Sequence, residues 1–139
     1  MDTRILDLFI KENSEWDDMI LRRKSEIPVL EGMLKDVVQE GSGMEDHVLS
    51  SIGLLSREMK VQDTNLGAVS QELAMQKDFL SRQKKNPDDN DNVIESLSRQ
   101  NIIREHIRKV EKDFIELKCN LLNYISTLLQ YPHQVSKSF

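Results

Sequence analysis

Three histidines and one cysteine are the side chains of this chain best suited to metal binding or nucleophilic chemistry, and the sequence keeps them apart. A metal site needs several imidazole, thiolate or carboxylate donors at short, fixed spacing. His47, His106 and His133 each stand without another His or Cys at ligand spacing. Cys119 falls at an outward position of a helical repeat, beside Lys118 and with no base near it, so it reads as an inert surface thiol. The run Asp89-Asn90-Asp91-Asn92 opens like a calcium loop, but counting from Asp89 puts Ile94 where the turn glycine belongs and Gln100 where the bidentate glutamate belongs. Gly41-Ser42-Gly43 lacks the lysine and the preceding strand of a phosphate loop. The ending Ser136-Lys137-Ser138-Phe139 has Phe where a peroxisomal address has Leu. No catalytic, cofactor or metal constellation is expected, and the chain does not read as an enzyme.

Composition narrows the remaining classes. With 38% hydrophobic and 31% charged residues, and only 5 Gly and 3 Pro in 139 residues, the chain suits one solvated, elongated helical domain better than a compact globule. The 19 basic and 24 acidic residues give a net charge of −5 and are mixed along every segment, which disfavours nucleic acid as the main partner. No apolar run approaches the roughly 20 residues of a membrane span, so no membrane insertion is expected. The first residues, with acids inside a short apolar run, read as the start of a helix rather than a signal peptide. A lone cysteine cannot close an internal disulfide and fits an intracellular location, cytoplasmic or nuclear.

The elements that would position any functional side chain come from a seven-residue apolar repeat. Leu6, Phe9, Trp16, Ile20, Ile27, Leu30, Leu34 and Val37 share one register, with Asn13 and Arg23 at its polar positions. Trp16 reads there as a large core plug, Asn13 as a residue able to fix register, and Arg23 as a side chain able to reach out of a thin bundle. Val48, Ile52, Leu55, Met59, Leu66, Val69, Leu73 and Leu80 form a second seam, interrupted by Gln62 and Gln76. Ile103, Ile107, Val110, Phe114, Leu117, Leu121, Tyr124 and Leu128 form a third. The pattern predicts an all-α fold with helices over about 2–40, 44–84 and 92–131, and a flexible tail over 132–139 behind Pro132. Ser42 with Glu45, and Asn92 with Glu95, are expected to cap the second and third helices. Pro28 predicts a bend near Lys24 rather than a break, because the repeat continues past it.

Short turns between rods of equal length favour antiparallel neighbours. Folding the chain about Asp88 sets Leu73 opposite Ile103, Val69 opposite Ile107 and Leu66 opposite Val110, and brings Gln76 into one layer with Gln100. Two polar seam residues meeting in one layer can satisfy each other's amides. Folding about Gly41 pairs Leu34 with Val48, Leu30 with Ile52 and Ile27 with Leu55, and leaves Arg23 opposite Met59. The expectation is an up-down-up coiled-coil bundle of three long antiparallel helices.

More apolar residues are present than three seams require. Leu54, Val61, Ala68 and Met75 repeat every seven residues well round from the second seam. Ile115, Leu122 and Leu129 do the same on the third helix, joined by Ile125, and Ile5, Met19 and Met33 flank the first seam. Exposed apolar surface of this kind marks an interface. Leu54, Val61, Met75, Ile115, Leu122, Ile125 and Leu129 are the expected contact residues for a helical protein partner, by self-association or in a hetero-complex.

The function expected on these grounds is a non-enzymatic scaffold or adaptor subunit of an intracellular multiprotein complex, of the cytoskeletal, centrosomal or chromosome-segregation kind. In architecture, through no sequence motif, the chain also resembles the amino-terminal bundles of syntaxin-type SNAREs and a lengthened spectrin-type repeat. The first resemblance implies a regulatory or tethering module in membrane traffic that holds a fusion helix in a groove.

Overall fold

The computed structural model describes residues 3–40, 45–86 and 90–130. Three helices account for nearly all of them, and no strand occurs among the described residues: α1 is Arg4–Glu40, α2 is Asp46–Lys85 and α3 is Asn90–Gln130. Leu, Glu, Lys, Arg and Gln are frequent in these segments and lose little rotamer freedom in a helix. At 1.5 Å per residue each helix runs roughly 55–60 Å. Isolated helices of this composition are marginal, and burial of one apolar face against the other two holds them as a bundle.

The helix ends differ from the capping patterns. The Thr3 carbonyl accepts the Asp7 amide at 3.0 Å, so α1 is entered from Thr3. The Glu45 carbonyl accepts the amides of Val48 and Leu49 at 3.0 and 3.2 Å, which places Glu45 just before α2 rather than inside its first turn. Ser42, its expected capping partner, lies outside the described residues, as does the tail over 132–139. Asn92 falls inside α3 rather than ahead of it, since that helix starts at Asn90. Polar capping motifs mark a helix entrance only to within a turn, because Asn, Asp and Ser also tolerate the first turn itself.

α1 stays helical across Pro28. Proline removes one amide donor and crowds the Lys24 carbonyl, a local cost of about 3 kcal/mol. Ile27, Leu30, Leu34 and Val37 are all buried around it. Each such side chain contributes about 1.5–3 kcal/mol when fully buried, so packing outweighs the proline.

The chain packs as two compact units, and each helix contributes a segment to both. Unit 1 comprises Met1–Arg23 with Asn65–Glu111; unit 2 comprises Lys24–Thr64 with Lys112–Phe139. The core of unit 1 holds Leu6, Ile20, Leu66, Leu73 and Leu80 together with Ile103, Ile107 and Val110, and also buries Asn13, Gln76, Gln83, Ser96 and Gln100. The core of unit 2 is built from Ile27, Leu30, Leu34, Ile52, Met59, Phe114, Leu117 and Leu121, and no polar side chain among its described residues is buried.

Four expected seam residues, Phe9, Trp16, Leu55 and Tyr124, are only half-buried. Leu121 is followed in the core by Ile125 and Leu128, while Tyr124 is only half-buried. Two successive spacings of four replace the alternation of three and four, and a straight 3.6-residue helix drifts toward such a step against a strict heptad. The aliphatic side chain takes the interior, which keeps the tyrosine hydroxyl near water. Trp16 is likewise half-buried rather than a core plug.

Candidate docking surface

Unit 1 is tied across its helices by a continuous polar layer. Gln76 of α2 donates from Nε2 to the Ser96 carbonyl at 3.2 Å and to Gln100 Oε1 at 3.1 Å. Gln100 Nε2 in turn donates to Asn13 Oδ1 of α1 at 2.9 Å and to Glu12 Oε1 at 2.8 Å. The pairing of Gln76 with Gln100 is the layer expected from the sequence, and Asn13 joins it from the third side. Asn13 Nδ2 and Gln76 Oε1 are buried and make no hydrogen bond, so the layer is satisfied only in part.

A charged edge continues the layer toward solvent. Arg104 grips Glu12 with both prongs of its guanidinium, Nη2 to Oε1 at 2.6 Å and Nε to Oε2 at 3.1 Å, and its cation lies 5.8 Å from the Trp16 ring centroid. Partial burial pushes the Glu12 carboxyl up, but the hydrogen bonds from Arg104 and Gln100 and the charges of Arg104 and Arg108 outweigh it and hold the group below the usual glutamate range. Arg23 forks onto Glu111 in the same way, at 2.6 and 3.0 Å. This bidentate fork ties Arg23 of α1 to α3.

The expected contact residues do not form one strip. Leu54, Val61 and Met75 are 54%, 55% and 68% exposed, and Ile115 and Leu129 are also exposed. Leu122 is half-buried, and Ile125, at 5% exposure, is a core residue rather than a contact residue for the reason given above. In unit 2, Val61 borders the groove between α2 and α3, and Leu54 stands one heptad before it on the same flank. On α3 of that unit, Lys118 reaches across to Glu26 of α1 at 3.2 Å. Ile115 and Leu122 lie three residues before and four after Lys118, so they share its α1-facing flank, and Leu129 extends the row. Unit 2 therefore carries two apolar flanks on different grooves. Met75 belongs to unit 1, where it borders an α2–α3 groove with Glu72, Gln76, Arg99, Ile102 and Ile103.

Ile102 is an exposed apolar residue that the heptad reading passes over. Its signal is the Ile102-Ile103 doublet, since neighbours 100° apart cannot both face the seam. Leu21 and Val29 are exposed without belonging to any repeating row, and only the coordinates identify them.

Chemistry-bearing side chains remain scattered. Among the described residues no three His, Cys, Asp or Glu groups gather as a metal site. His106 Nδ1 meets Glu72 Oε2 at 2.7 Å in an exposed pair, and Cys119 is a free, exposed thiol. No helix is long and apolar enough to cross a membrane among the described residues. No family model matches the chain, and no curated protein and no solved structure matches it either.

Proposed function

We propose that the chain is a non-enzymatic coiled-coil adaptor, an up-down-up three-helix module that offers apolar flanks to helices of other chains within an intracellular assembly. The direction of the helices is supported inside unit 1. Gln76 pairs with Gln100 and Glu72 with His106, so partner numbers rise on α3 as they fall on α2. Glu12 pairs with Arg104 and Arg23 with Glu111, so they rise together on α1 and α3. The buried rows at spacings of three and four support knobs-into-holes packing.

One observation carries the functional reading: Leu54 and Val61, more than half exposed, repeat along one flank of unit 2 at the helical period. Each such side chain contributes about 1.5–3 kcal/mol when a partner covers it, and an interface is assembled from a few such anchors. The α1-facing row of Ile115, Leu122 and Leu129 is a second flank of the same kind. The test is light scattering and co-purification of the full chain against its Leu54→Glu/Val61→Glu and Leu122→Glu/Leu129→Glu variants. The expected result is loss of a dimer or of captured partners with helicity kept. Variants that leave every association unchanged defeat the adaptor reading.

A further inference from the structure

One strip of α2 in unit 2 has the same pattern from either end. Ser51, Leu54 and Arg57, then Glu58, Val61 and Thr64, run as hydroxyl, aliphatic, charge and charge, aliphatic, hydroxyl, at intervals of three residues on either side of the central pair. At about 100° per residue they share one face roughly 140° wide, turned away from the buried seam. Leu54 and Val61 are more than half exposed, and Arg57 and Glu58 are exposed between them.

The two central charges have no counterpart in their own chain. No acid stands three or four residues from Arg57 on α2, and no base three or four from Glu58. Among the described residues neither makes a side-chain hydrogen bond or ion pair. Elsewhere that spacing is used, by Asp78 with Arg82 and by Glu95 with Arg99. Lys60 and Asp63 face α1 instead, Lys60 lining the α1–α2 groove and Asp63 approaching Lys24. Ser51 and Thr64 donate their hydroxyls to the His47 and Lys60 carbonyls at 3.0 and 3.1 Å, so covering them strands no donor.

A strip with this symmetry is complementary to itself. Two copies laid antiparallel about a two-fold axis between Arg57 and Glu58 set Leu54 against Val61, Ser51 against Thr64, and Arg57 against Glu58 twice over. A foreign helix carrying one sign of charge would meet its like at one of the two central positions. Glu116 lines the same α2–α3 groove as Glu58 and adds negative charge where Arg57 of the second copy arrives, while Asp113, also in that lining, already has a partner within the chain.

We infer that unit 2 pairs with a second copy of this chain through this face of α2, in antiparallel orientation. The inference rests on the adaptor reading and names its partner. With two aliphatic anchors on each copy, the dimer dissociates on dilution. The test is sedimentation equilibrium of the full chain up to about 1 mM, with circular dichroism to confirm that each variant stays helical. The unaltered chain is expected to dimerise. Arg57→Glu alone and Glu58→Arg alone each bring like charges together and are expected to weaken the dimer about ten-fold. Arg57→Glu/Glu58→Arg is expected to restore it, and the two single variants, when mixed, to form the mixed dimer in preference to either alone. A chain that stays monomeric throughout, single variants that dimerise as tightly as the unaltered chain, a double variant that is not restored, or a mixture without preference each overturns the inference. The adaptor reading is judged separately, since a monomeric chain that binds another protein and loses it with Leu54→Glu/Val61→Glu keeps that reading while overturning the dimer.

Discussion

Unit 1 buries five polar side chains, Asn13, Gln76, Gln83, Ser96 and Gln100, whereas the described residues of unit 2 bury none. The two units are cut from the same three helices and obey the same spacing of three and four, yet they are held by different physics. In unit 1 directional amide and guanidinium bonds link all three helices, and any slide of one helix by a turn breaks several at once. In unit 2 the core is aliphatic and aromatic carbon, which contributes more free energy per residue and specifies register less. Polar layers trade stability for a defined register, while apolar layers supply stability.

The sharpest way to break this contrast is in the carbon of unit 2. Phe114 is wholly buried, and Phe114→Ala is expected to cost about 3–5 kcal/mol in urea denaturation, from lost burial plus the cavity left behind. In unit 1 the effect of a change depends on whether it strands a polar group. Gln100→Leu alone removes the acceptor of Gln76 and the donor of Asn13 and Glu12, and is expected to cost about 1–3 kcal/mol. The triple change Asn13→Leu/Gln76→Leu/Gln100→Leu removes the stranded groups together and is expected to be neutral or stabilising by the same measurement. Its cost falls on uniqueness, read as more than one oligomeric species by light scattering. A triple variant that is strongly destabilised, or that keeps one species, removes the register role from the layer.

The contrast also explains which parts were legible beforehand. The Gln76–Gln100 layer follows from folding two helices about a short turn, an operation that needs only counting. Asn13 was visible as a polar seam residue, but its place in that layer depends on the axial offset of α1 against α3, which no local pattern encodes. Glu12 and Arg104 look like ordinary solvated charges until α1 and α3 are set side by side. Ile125 and Tyr124 are adjacent and both apolar enough for a seam, so spacing alone chose the wrong one. The excess apolar rows were legible in the sequence, but assigning them to two grooves required the partner of Lys118 and the lining of the Val61 groove.

A smaller effect tests the charged edge of unit 1. The folded Glu12 carboxyl is held below its ordinary value of 4.5, so its contribution is fully present above that pH and is lost as pH falls through the lowered folded value. Glu12→Gln is expected to flatten the loss of stability as pH falls below the ordinary value of 4.5, measured by thermal melts at a series of acidic pH values. An unchanged slope means that the Arg104 fork does not discriminate the charged form.

The smallest expected effect lies in unit 2. Lys24 approaches Asp63 at 3.8 Å with both side chains partly exposed. Its geometry is long and single-pronged, unlike the 2.6 Å fork of Arg104 on Glu12 in unit 1. Exposed pairs of that kind contribute about 0–1 kcal/mol, because side-chain entropy and salt screening offset the attraction. A double-mutant cycle with Lys24→Ala and Asp63→Ala is expected to give a coupling near zero, and the matching cycle for Glu12 and Arg104 a larger one. Equal couplings would mean that polar ties hold both units alike, and the division between a registered unit and a carbon-packed one would then rest on buried amides alone.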